Sequence, residues 1–241
     1  MSVIGLFSVK GSPGATTLAL SLAACGRRHG AVLIEADAAG GDIALRYGIA
    51  QQPGLAQLAA RTRHIGDRRG VLDGLVHTID TEAAARVDVV PAPVEPAAVE
   101  AAVTALHASP DVLAATGRSR TVLLDLGRLD AGGPGVGLVE SCAAAVLVVR
   151  GDAVSLGHAR EAAWLAGLPI RCGFVLVDTG PYRAAEAADV LGMDCLGIIP
   201  AVRRPLRARR ANRAVRALWT GLTTAIREPA AARELVEVRR R

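Results

Sequence analysis

The chain has 241 residues, of which 51% are hydrophobic, 21% charged and 2% aromatic, and its formal net charge is +5. These proportions are typical of a globular protein and exclude a wholly disordered chain, while the scarcity of aromatic side chains excludes a base-stacking surface for single-stranded nucleic acid. Arginine supplies 27 of the 28 basic side chains, and the single lysine, Lys10, stands close to the N-terminus. A lone lysine among so many arginines draws attention to its position.

The sequence indicates neither a membrane-spanning helix nor the disulfide framework of a secreted protein. The longest apolar run, residues 142–149, is far shorter than the roughly 20 residues that a membrane-spanning helix needs. The first residues lack the pattern of a secretory leader, and the four scattered cysteines contain no C-x-x-C pair that would suggest a metal site or a disulfide framework. We therefore expect a cytoplasmic protein.

Short apolar runs alternate with stretches of helical length along most of the chain. Runs that are apolar at every position predict strands buried on both faces, as in a parallel sheet. The predicted strands are 3–9, 31–36, 87–90, 121–126, 143–149, 173–177 and 195–199. The predicted helices are 16–29, 96–107, 155–165 and 184–191, and the less regular segment 51–81 predicts a short helix and an exposed loop. This order predicts an α/β fold, a doubly wound, mostly parallel sheet with helices on both faces, and places ligands at the carboxyl ends of the strands.

The positive charge is concentrated at the C-terminal end. Residues 201–241 contain 12 Arg and 3 Glu, a net charge of +9, which leaves −4 for residues 1–200. The segment 203–228 predicts a basic helix with apolar side chains available for packing. Its candidate contact residues are Arg203, Arg204, Arg207, Arg209, Arg210, Arg213 and Arg216. Three interpretations stay open for them: binding to DNA phosphates, binding to an acidic membrane surface, or a solvated face without a partner.

A Gly-rich segment, KGSPGATT at residues 10–17, follows the first predicted strand and leads into a helix. Gly11 and Gly14 let the backbone turn so that successive N–H groups point inward, and the helix N-terminus adds partial positive charge, as in a phosphate cradle. Thr16 occupies the place of a hydroxyl that binds the magnesium of a nucleotide. The standard pattern G-x-x-x-x-G-K-[ST] is matched only from Gly14 onward, with Ala15 at its lysine position. A tight strand-to-helix turn of small residues is the competing interpretation.

Acidic residues end two further predicted strands. Glu35 and Asp37 lie two residues apart in the sequence EAD, which predicts that both side chains leave the strand on the same face. Asp125 ends the apolar run TVLLDLG, where a carboxylate can hold a magnesium-bound water. Each acid alone is compatible with a cap or a loop. Together with the Gly-rich turn, they favour one site for magnesium and water at the carboxyl edge of the sheet.

The order of these motifs resembles that of the ParA/MinD family of deviant P-loop ATPases from about residue 3 to residue 207. That family begins with K-G-G-x-G-K-T-T, and Lys10 stands at the first lysine; EAD, LLDLG, AAAVLVVRGDAVSL and LGIIP follow in the family's order. The form K-G-S-P-G-x-T-T is similar to actinobacterial MinD-like proteins and to the degenerate CpaE/TadZ-like ATPases that position tight-adherence pilus machinery. The resemblance implies a nucleotide-binding domain over residues 1–227 and a short basic tail over 228–241.

The resemblance also implies a set of functional residues. Lys10 would reach across an ATP-sandwiched homodimer, and Asp37 would position or activate the attacking water, so these two are the catalytic candidates. Thr16, Asp37 and Asp125 would hold Mg²⁺. The candidate ATP-binding residues are Lys10, Gly11, Ser12, Pro13, Gly14, Ala15, Thr16, Thr17, Asp178 and Pro200.

Two departures from the family pattern bear on activity. Ala15 replaces the second P-loop lysine, and Asp178 stands where the family often has an Asn near the adenine. Loss of one charged hydrogen bond to phosphate costs about 1.5–3 kcal/mol, roughly 10- to 150-fold in affinity, so binding at millimolar ATP is expected to survive better than hydrolysis.

Two functions therefore stay open. One is an ATP-dependent switch that binds a protein partner or cargo for positioning, partitioning or pilus assembly, with impaired ATPase activity and with the nucleoid or the membrane as a peripheral site. The other is a pseudo-ATPase scaffold without productive turnover. A third class is a metabolic ligase or an iron–sulphur carrier on the same fold. The chain contains no substrate motif of a ligase and no paired cysteines of a carrier, which disfavours this class.

Overall fold

The computed structural model describes residues 2–11, 13–63, 70–81, 85–168, 170–177, 180–200 and 205–227. Its strands are β1 (Val3–Ser8), β2 (Val32–Glu35), β3 (His77–Asp80), β4 (Arg86–Val90), β5 (Val122–Arg128), β6 (Ala144–Arg150), β7 (Arg171–Val177) and β8 (Cys195–Ile199). Its helices are α1 (Ala15–Gly26), α2 (Ile43–Tyr47), α3 (Leu55–Ala60), α4 (Pro96–His107), α5 (Pro110–Ser119), α6 (Pro134–Glu140), α7 (Ala153–Glu161), α8 (Ala184–Leu191) and α9 (Pro205–Arg227). Short 3-10 turns cover Arg27–His29, Arg61–Arg63 and Ala163–Gly167.

The strands form one eight-stranded sheet in the order β3-β4-β2-β5-β1-β6-β7-β8. All neighbouring strands run parallel except β3, which pairs antiparallel with β4 at the edge of the sheet. The predicted doubly wound, mostly parallel fold is therefore confirmed. Because β1 lies between β5 and β6, the segment that follows β1 emerges near the middle of the carboxyl edge, which is the usual ligand position in such folds.

Both faces of the sheet are covered by apolar packing. Every residue of β1 is buried, and its side chains alternate: Val3 and Phe7 join the core under α3 to α8, while Ile4 and Leu6 join the core under α1 and α9. This two-sided burial explains why the strand sequences are apolar at consecutive positions rather than at alternate ones.

The basic C-terminal helix α9 packs against α1 and β8 as an integral part of the domain. Val215, Leu218, Trp219 and Leu222 are buried in the core that α1 also contributes to. The Trp219 ring lies against Gly26, where a Cβ atom would overlap it. Arg210, Arg213 and Arg216 are exposed on the same helix, and we call these three residues the basic surface.

Several of the predictions about the C-terminal region fall outside the described residues. Arg203, Arg204 and the tail 228–241 are among them, as are the side chains of Arg207 and Arg209. Within the described ranges, no helix combines the length and the apolar character needed to cross a membrane.

Candidate functional site

The phosphate loop, residues 10–17, connects the central strand β1 to helix α1. Gly11 (φ +68°) and Gly14 (φ +96°) both have left-handed backbone conformations, which side chains with a Cβ atom rarely adopt. Gly14 is the N-cap of α1 and its carbonyl accepts the first helical hydrogen bond, from Leu18 N–H, at 2.9 Å. The two glycines therefore reverse the chain between strand and helix and direct the helix N-terminus toward the carboxyl edge of the sheet.

Side chains of the phosphate loop differ in their exposure. Lys10 and Thr17 are exposed, Thr16 is half-buried and Pro13 is buried, while Ser12 lies outside the described residues. Ala15 is only 6% exposed and its methyl group belongs to the apolar core between α1 and the sheet. The position of the family's second lysine is thus occupied here by a small packing residue.

Asp125 lies on β5 beside the phosphate loop and is completely buried. It is in register with Leu6 of β1 on one side and with Glu35 of β2 on the other. Its Oδ1 atom accepts a hydrogen bond from Gly127 N–H at 3.2 Å, whereas its Oδ2 atom is buried and has no hydrogen-bond partner among the described residues.

Burial raises the pKa of Asp125 to about 7, against the opposing effects of the Thr16 hydroxyl and the Gly127 N–H group. The nearby charges of Glu35 and Asp37 raise this pKa further. Such a carboxyl group is near half-ionised at neutral pH, and a cation beside its free oxygen would favour the charged form.

Asp37 follows the end of β2 and is half-buried above β5. Its Oδ1 atom accepts a hydrogen bond from Ala39 N–H at 2.9 Å, and its carboxyl group lies where a Cβ atom of Gly127 would be. Burial is the main cause that raises the pKa of Asp37, and the charge of Asp42 adds to it. The Ala39 N–H group and both the charge and the N–H group of Arg128 lower it.

Glu35 has a different role from the one expected. Its Oε1 atom accepts hydrogen bonds from Asp42 N–H (2.7 Å) and Ile43 N–H (2.9 Å), and its Oε2 atom accepts one from Ala92 N–H (2.9 Å). Both oxygens are thus occupied by backbone donors rather than directed at a ligand. Glu35 ties the start of α2 and the segment after β4 to the sheet, and so fixes both ends of the loop that carries Asp37.

The structure brings most of the predicted site residues to one edge of the sheet. The phosphate loop, Asp37 and Asp125 lie together at the carboxyl ends of β1, β2 and β5. Pro200 follows β8 at the same edge, three strands from β1, and Asp178 lies outside the described residues. Gly127 and Arg128 were not among the predicted site residues, although both follow Asp125 closely and a glycine after a strand-end acid is a usable signal for a special backbone position.

A Gly-rich strand-to-helix loop beside two strand-end carboxylates, on a doubly wound parallel sheet, defines the P-loop NTPase class of fold. More particularly, this is the ParA/MinD fold. The chain superposes on the cell division ATPase MinD of Pyrococcus furiosus with a TM-score of 0.68 and 20% identity, over 92% of this chain and 98% of that chain.

Two further solved structures give the same result. A ParA-family ATPase from Chlorobium tepidum matches with a TM-score of 0.66 and 19% identity, over 93% of this chain and 95% of that chain. The septum site-determining protein MinD of Pyrococcus horikoshii, complexed with Mg-ADP, matches with a TM-score of 0.68 and 18% identity, over 90% of this chain and 93% of that chain. No protein-family model and no curated protein matches the sequence.

Proposed function

We propose that this protein is a ParA/MinD-like ATP-binding switch with impaired hydrolysis, and that it forms an ATP-sandwiched homodimer which positions or assembles a cargo. The observation that carries the proposal is the phosphate loop, whose left-handed Gly11 and Gly14 stand at the end of the central strand. Asp125 lies on the neighbouring strand β5, and Asp37 follows the end of β2, which is the next strand of the sheet. The similarly folded MinD of Pyrococcus horikoshii is complexed with Mg-ADP, which supports the assignment of the ligand class.

The donor set suits a magnesium ion. Thr16 offers a hydroxyl oxygen, and Asp125 offers a buried carboxylate oxygen that has no hydrogen-bond partner among the described residues. Hard oxygen donors of this kind are those that Mg²⁺ prefers, with nucleotide phosphates and water filling its other positions. When bound, the ion would neutralise phosphate charge. In this proposal, Thr16 and Asp125 hold it, directly or through water.

Asp37 is the residue proposed to position the attacking water. Its carboxyl group accepts a hydrogen bond from Ala39 N–H at 2.9 Å and lies against Gly127, which fixes its orientation above β5. Slow turnover is expected because Ala15 brings no positive charge to the phosphates, and charge neutralisation is the main source of rate enhancement in phosphoryl transfer. The same alanine supports the alternative function, a scaffold that binds partners without turnover.

Lys10 is proposed to act in the dimer. Its side chain is exposed at the start of the phosphate loop, and among the described residues no ion pair includes it. An unpaired exposed lysine beside a phosphate site is available to a second subunit. The resemblance to the ParA/MinD family gives it that role, at the phosphates of the partner.

The basic surface is proposed as the contact with a polyanion, either duplex DNA or an acidic membrane. Arg210, Arg213 and Arg216 are exposed along one helix, and within the described part of the chain no ion pair neutralises them. Cargo binding for partitioning or for pilus positioning would then combine this surface with a protein partner.

A titration tests the central proposal. A fluorescent ATP analogue with Mg²⁺ is added to the purified full chain, molecular mass is followed by light scattering in parallel, and phosphate release from ATP is measured on the same protein. The expected result is saturable binding below millimolar nucleotide and a doubling of mass. Saturable binding with neither doubling nor phosphate release would favour the scaffold, and the absence of saturation at millimolar ATP would overturn nucleotide binding altogether.

A further inference from the structure

The proposed nucleotide site has a shortage of positive charge within one subunit. Asp37 and Asp125 place two carboxyl groups at the strand ends, and a nucleoside triphosphate adds several negative charges. Ala15 supplies no cation, since its side chain is a buried methyl group. In the proposed dimer, Lys10 acts on the phosphates bound by the partner subunit rather than on those bound by its own. A cation from elsewhere in the same subunit would therefore have a large effect on affinity.

Arg128 is a cation that the fold brings to this place. In the pairing of β1 with β5, Arg128 is in register with Ser8, two residues before Lys10. The next residue, Leu129, donates its N–H to the Ser8 carbonyl at 2.8 Å. The end of β5 is thus bonded to the last residue of β1, two residues before the phosphate loop begins.

A bulge sets the position of Arg128. The register between β1 and β5 shifts after Leu6, so that two residues of β1 are matched by three of β5. Gly127 takes up the extra residue with a left-handed backbone (φ +57°). Arg128 then lies next to Asp37, because the Asp37 carboxyl group occupies the space where a Cβ atom of the preceding residue, Gly127, would be. The charge of Arg128 lowers the pKa of Asp37. The arginine is therefore placed between the phosphate loop and the proposed water-positioning acid.

The guanidinium group is available for a ligand. Its ion pair within the described residues is with Asp130, at 3.4 Å, and the two side chains are 55% and 67% exposed. Exposed pairs of this kind contribute about 0–1 kcal/mol, so a phosphate group would displace Asp130 at little cost. The planar guanidinium also presents several N–H donors that suit phosphate oxygens.

We infer that Arg128 is a phosphate-binding residue of this site and supplies, within the same subunit, the positive charge that Ala15 does not. This inference rests on the proposed nucleotide-binding function and names the residue that makes the site work without a lysine at position 15. The ligand class is a nucleoside triphosphate, whose terminal phosphates carry the charge that an arginine recognises.

The test measures the affinity for an ATP analogue with Mg²⁺ in the wild type and in Arg128→Gln, Arg128→Lys and Arg86→Gln. Arg86 is the matched control because it also forms one exposed ion pair, with Asp80 at 3.8 Å, but stands at the amino end of β4, away from the site. Arg128→Gln is expected to weaken binding roughly 10- to 150-fold, Arg128→Lys to retain most of it, and Arg86→Gln to leave it unchanged within about twofold. AMP, which lacks the terminal phosphates, should bind the wild type and Arg128→Gln alike.

A compensation experiment sharpens the result. Ala15→Lys in the Arg128→Gln background is expected to recover at least tenfold of the lost affinity, because the lysine restores a cation in the same subunit. Unfolding by urea checks that each variant is folded. Should Ala15→Lys not fold, the triphosphate-specific loss in Arg128→Gln and its retention in Arg128→Lys still decide the question.

The two possible failures can be told apart. If the wild type binds the ATP analogue but Arg128→Gln binds it within twofold of the wild type, the role of Arg128 is wrong and the nucleotide-binding function stands. If the wild type itself shows no saturable binding at millimolar nucleotide, both proposals are overturned.

Discussion

The carboxyl group of Asp37 lies directly over the Cα atom of Gly127, at a point where the backbone of that glycine is left-handed (φ +57°) and leaves no room for a side chain. The loop after β2 and the end of β5 can thus approach each other closely because Gly127 has no Cβ atom. This close approach places the proposed water-positioning acid beside the residues that follow Asp125.

Gly127→Ala tests this close approach. The left-handed backbone strains an alanine at this position, which should lower the free energy of unfolding by about 1–2 kcal/mol. The added methyl group also displaces Asp37, and overpacking of this kind costs about a further 1–3 kcal/mol. Gly192→Ala is the matched control, because Gly192 has nearly the same φ (+62°) but no atom within 4 Å of a Cβ. We expect urea unfolding to show the larger loss for Gly127→Ala. Equal losses in the two variants would mean that Asp37 moves away freely.

Asp125→Asn tests the buried carboxyl group through pH. Burial raises the pKa of Asp125 from 3.8 to about 7 in the folded state, so between these values the folded protein binds a proton that the unfolded chain has lost. Stability should therefore fall as pH rises from about 4 to about 7, by an amount on the order of a few kcal/mol, and level off above. The raised pKa of Glu35 and of Asp37 acts in the same direction.

The neutral side chain in Asp125→Asn is expected to flatten this pH dependence and to make the protein more stable than the wild type at pH 8. Urea unfolding at a series of pH values measures it. Asp80→Asn, at an exposed position on the edge strand β3, is the control and should keep the slope of the wild type. An unchanged slope in Asp125→Asn would show that Asp125 is ionised throughout.

Glu35→Gln tests the anchoring of the loop that carries Asp37. The amide retains one acceptor oxygen, so it can keep the hydrogen bonds to Asp42 and Ile43 or the one to Ala92, but not both sets. We expect a loss of about 1–3 kcal/mol, the cost of an unsatisfied buried donor, with faster hydrogen exchange at these amides. Glu186→Gln is the control, because Glu186 accepts one bond from Arg183 N–H at an exposed helix start. Equal effects at the two sites would contradict the anchoring role.

Trp219→Ala tests whether α9 belongs to the folded domain. Trp219 is 7% exposed and packs with α1, so its loss should cost about 3–5 kcal/mol. Arg213→Ala, on the exposed side of the same helix, should change stability by no more than about 0.5 kcal/mol. Removal of residues 228–241 is likewise expected to leave stability unchanged, since we predict the domain to end at residue 227. Urea unfolding measures the stability of the three proteins. A loss in Trp219→Ala as small as that in Arg213→Ala would contradict the packing of α9 in the core.

Lys10→Ala tests the predicted action across the dimer. Lys10 is exposed and precedes the first turn-forming glycine, so stability of the monomer should change by less than about 0.5 kcal/mol. ATP-dependent doubling of mass in light scattering should require at least tenfold more protein, because one charged contact to phosphate is lost. Lys10→Arg keeps the charge and serves as the control. Unchanged dimerisation in Lys10→Ala would leave that lysine without the proposed role.

Buried, regular elements could be predicted from the sequence, and short or exposed ones could not. Helices α4 and α8 were predicted with the bounds that the structure gives them, because both have clear ends. Strand β3 was missed, since only Ile79 of its four residues is buried and an edge strand carries no continuous apolar run. Helices α2 and α6, of five and seven residues, are too short to show a helical period. The short helix predicted within residues 51–81 corresponds to α3 (Leu55–Ala60), but its bounds were not predicted.

The candidate site could be predicted only in part for a related reason. Alternation along a strand predicted that Glu35 and Asp37 share a face, but β2 ends at Glu35, and beyond a strand end alternation no longer determines direction. The carboxylate of Glu35 accepts hydrogen bonds from backbone N–H groups of two other segments, at Asp42 and Ile43 and at Ala92. A local sequence pattern does not predict contacts between such segments. The position of Arg128 depends likewise on a bulge in the pairing of two distant strands.

Helix α1 joins the phosphate loop at Gly14 to the aromatic side chain of Trp219, which packs on Gly26 at the other end of the helix. Its 12 residues span about 18 Å at about 1.5 Å per residue, and a helix of this length moves as a stiff rod. The other tryptophan, Trp164, lies against the opposite core, near Phe7. The fluorescence of Trp219 should therefore report on movements of the end of α1 that lies opposite the phosphate loop. Trp164, on the other face of the sheet, serves as an internal reference.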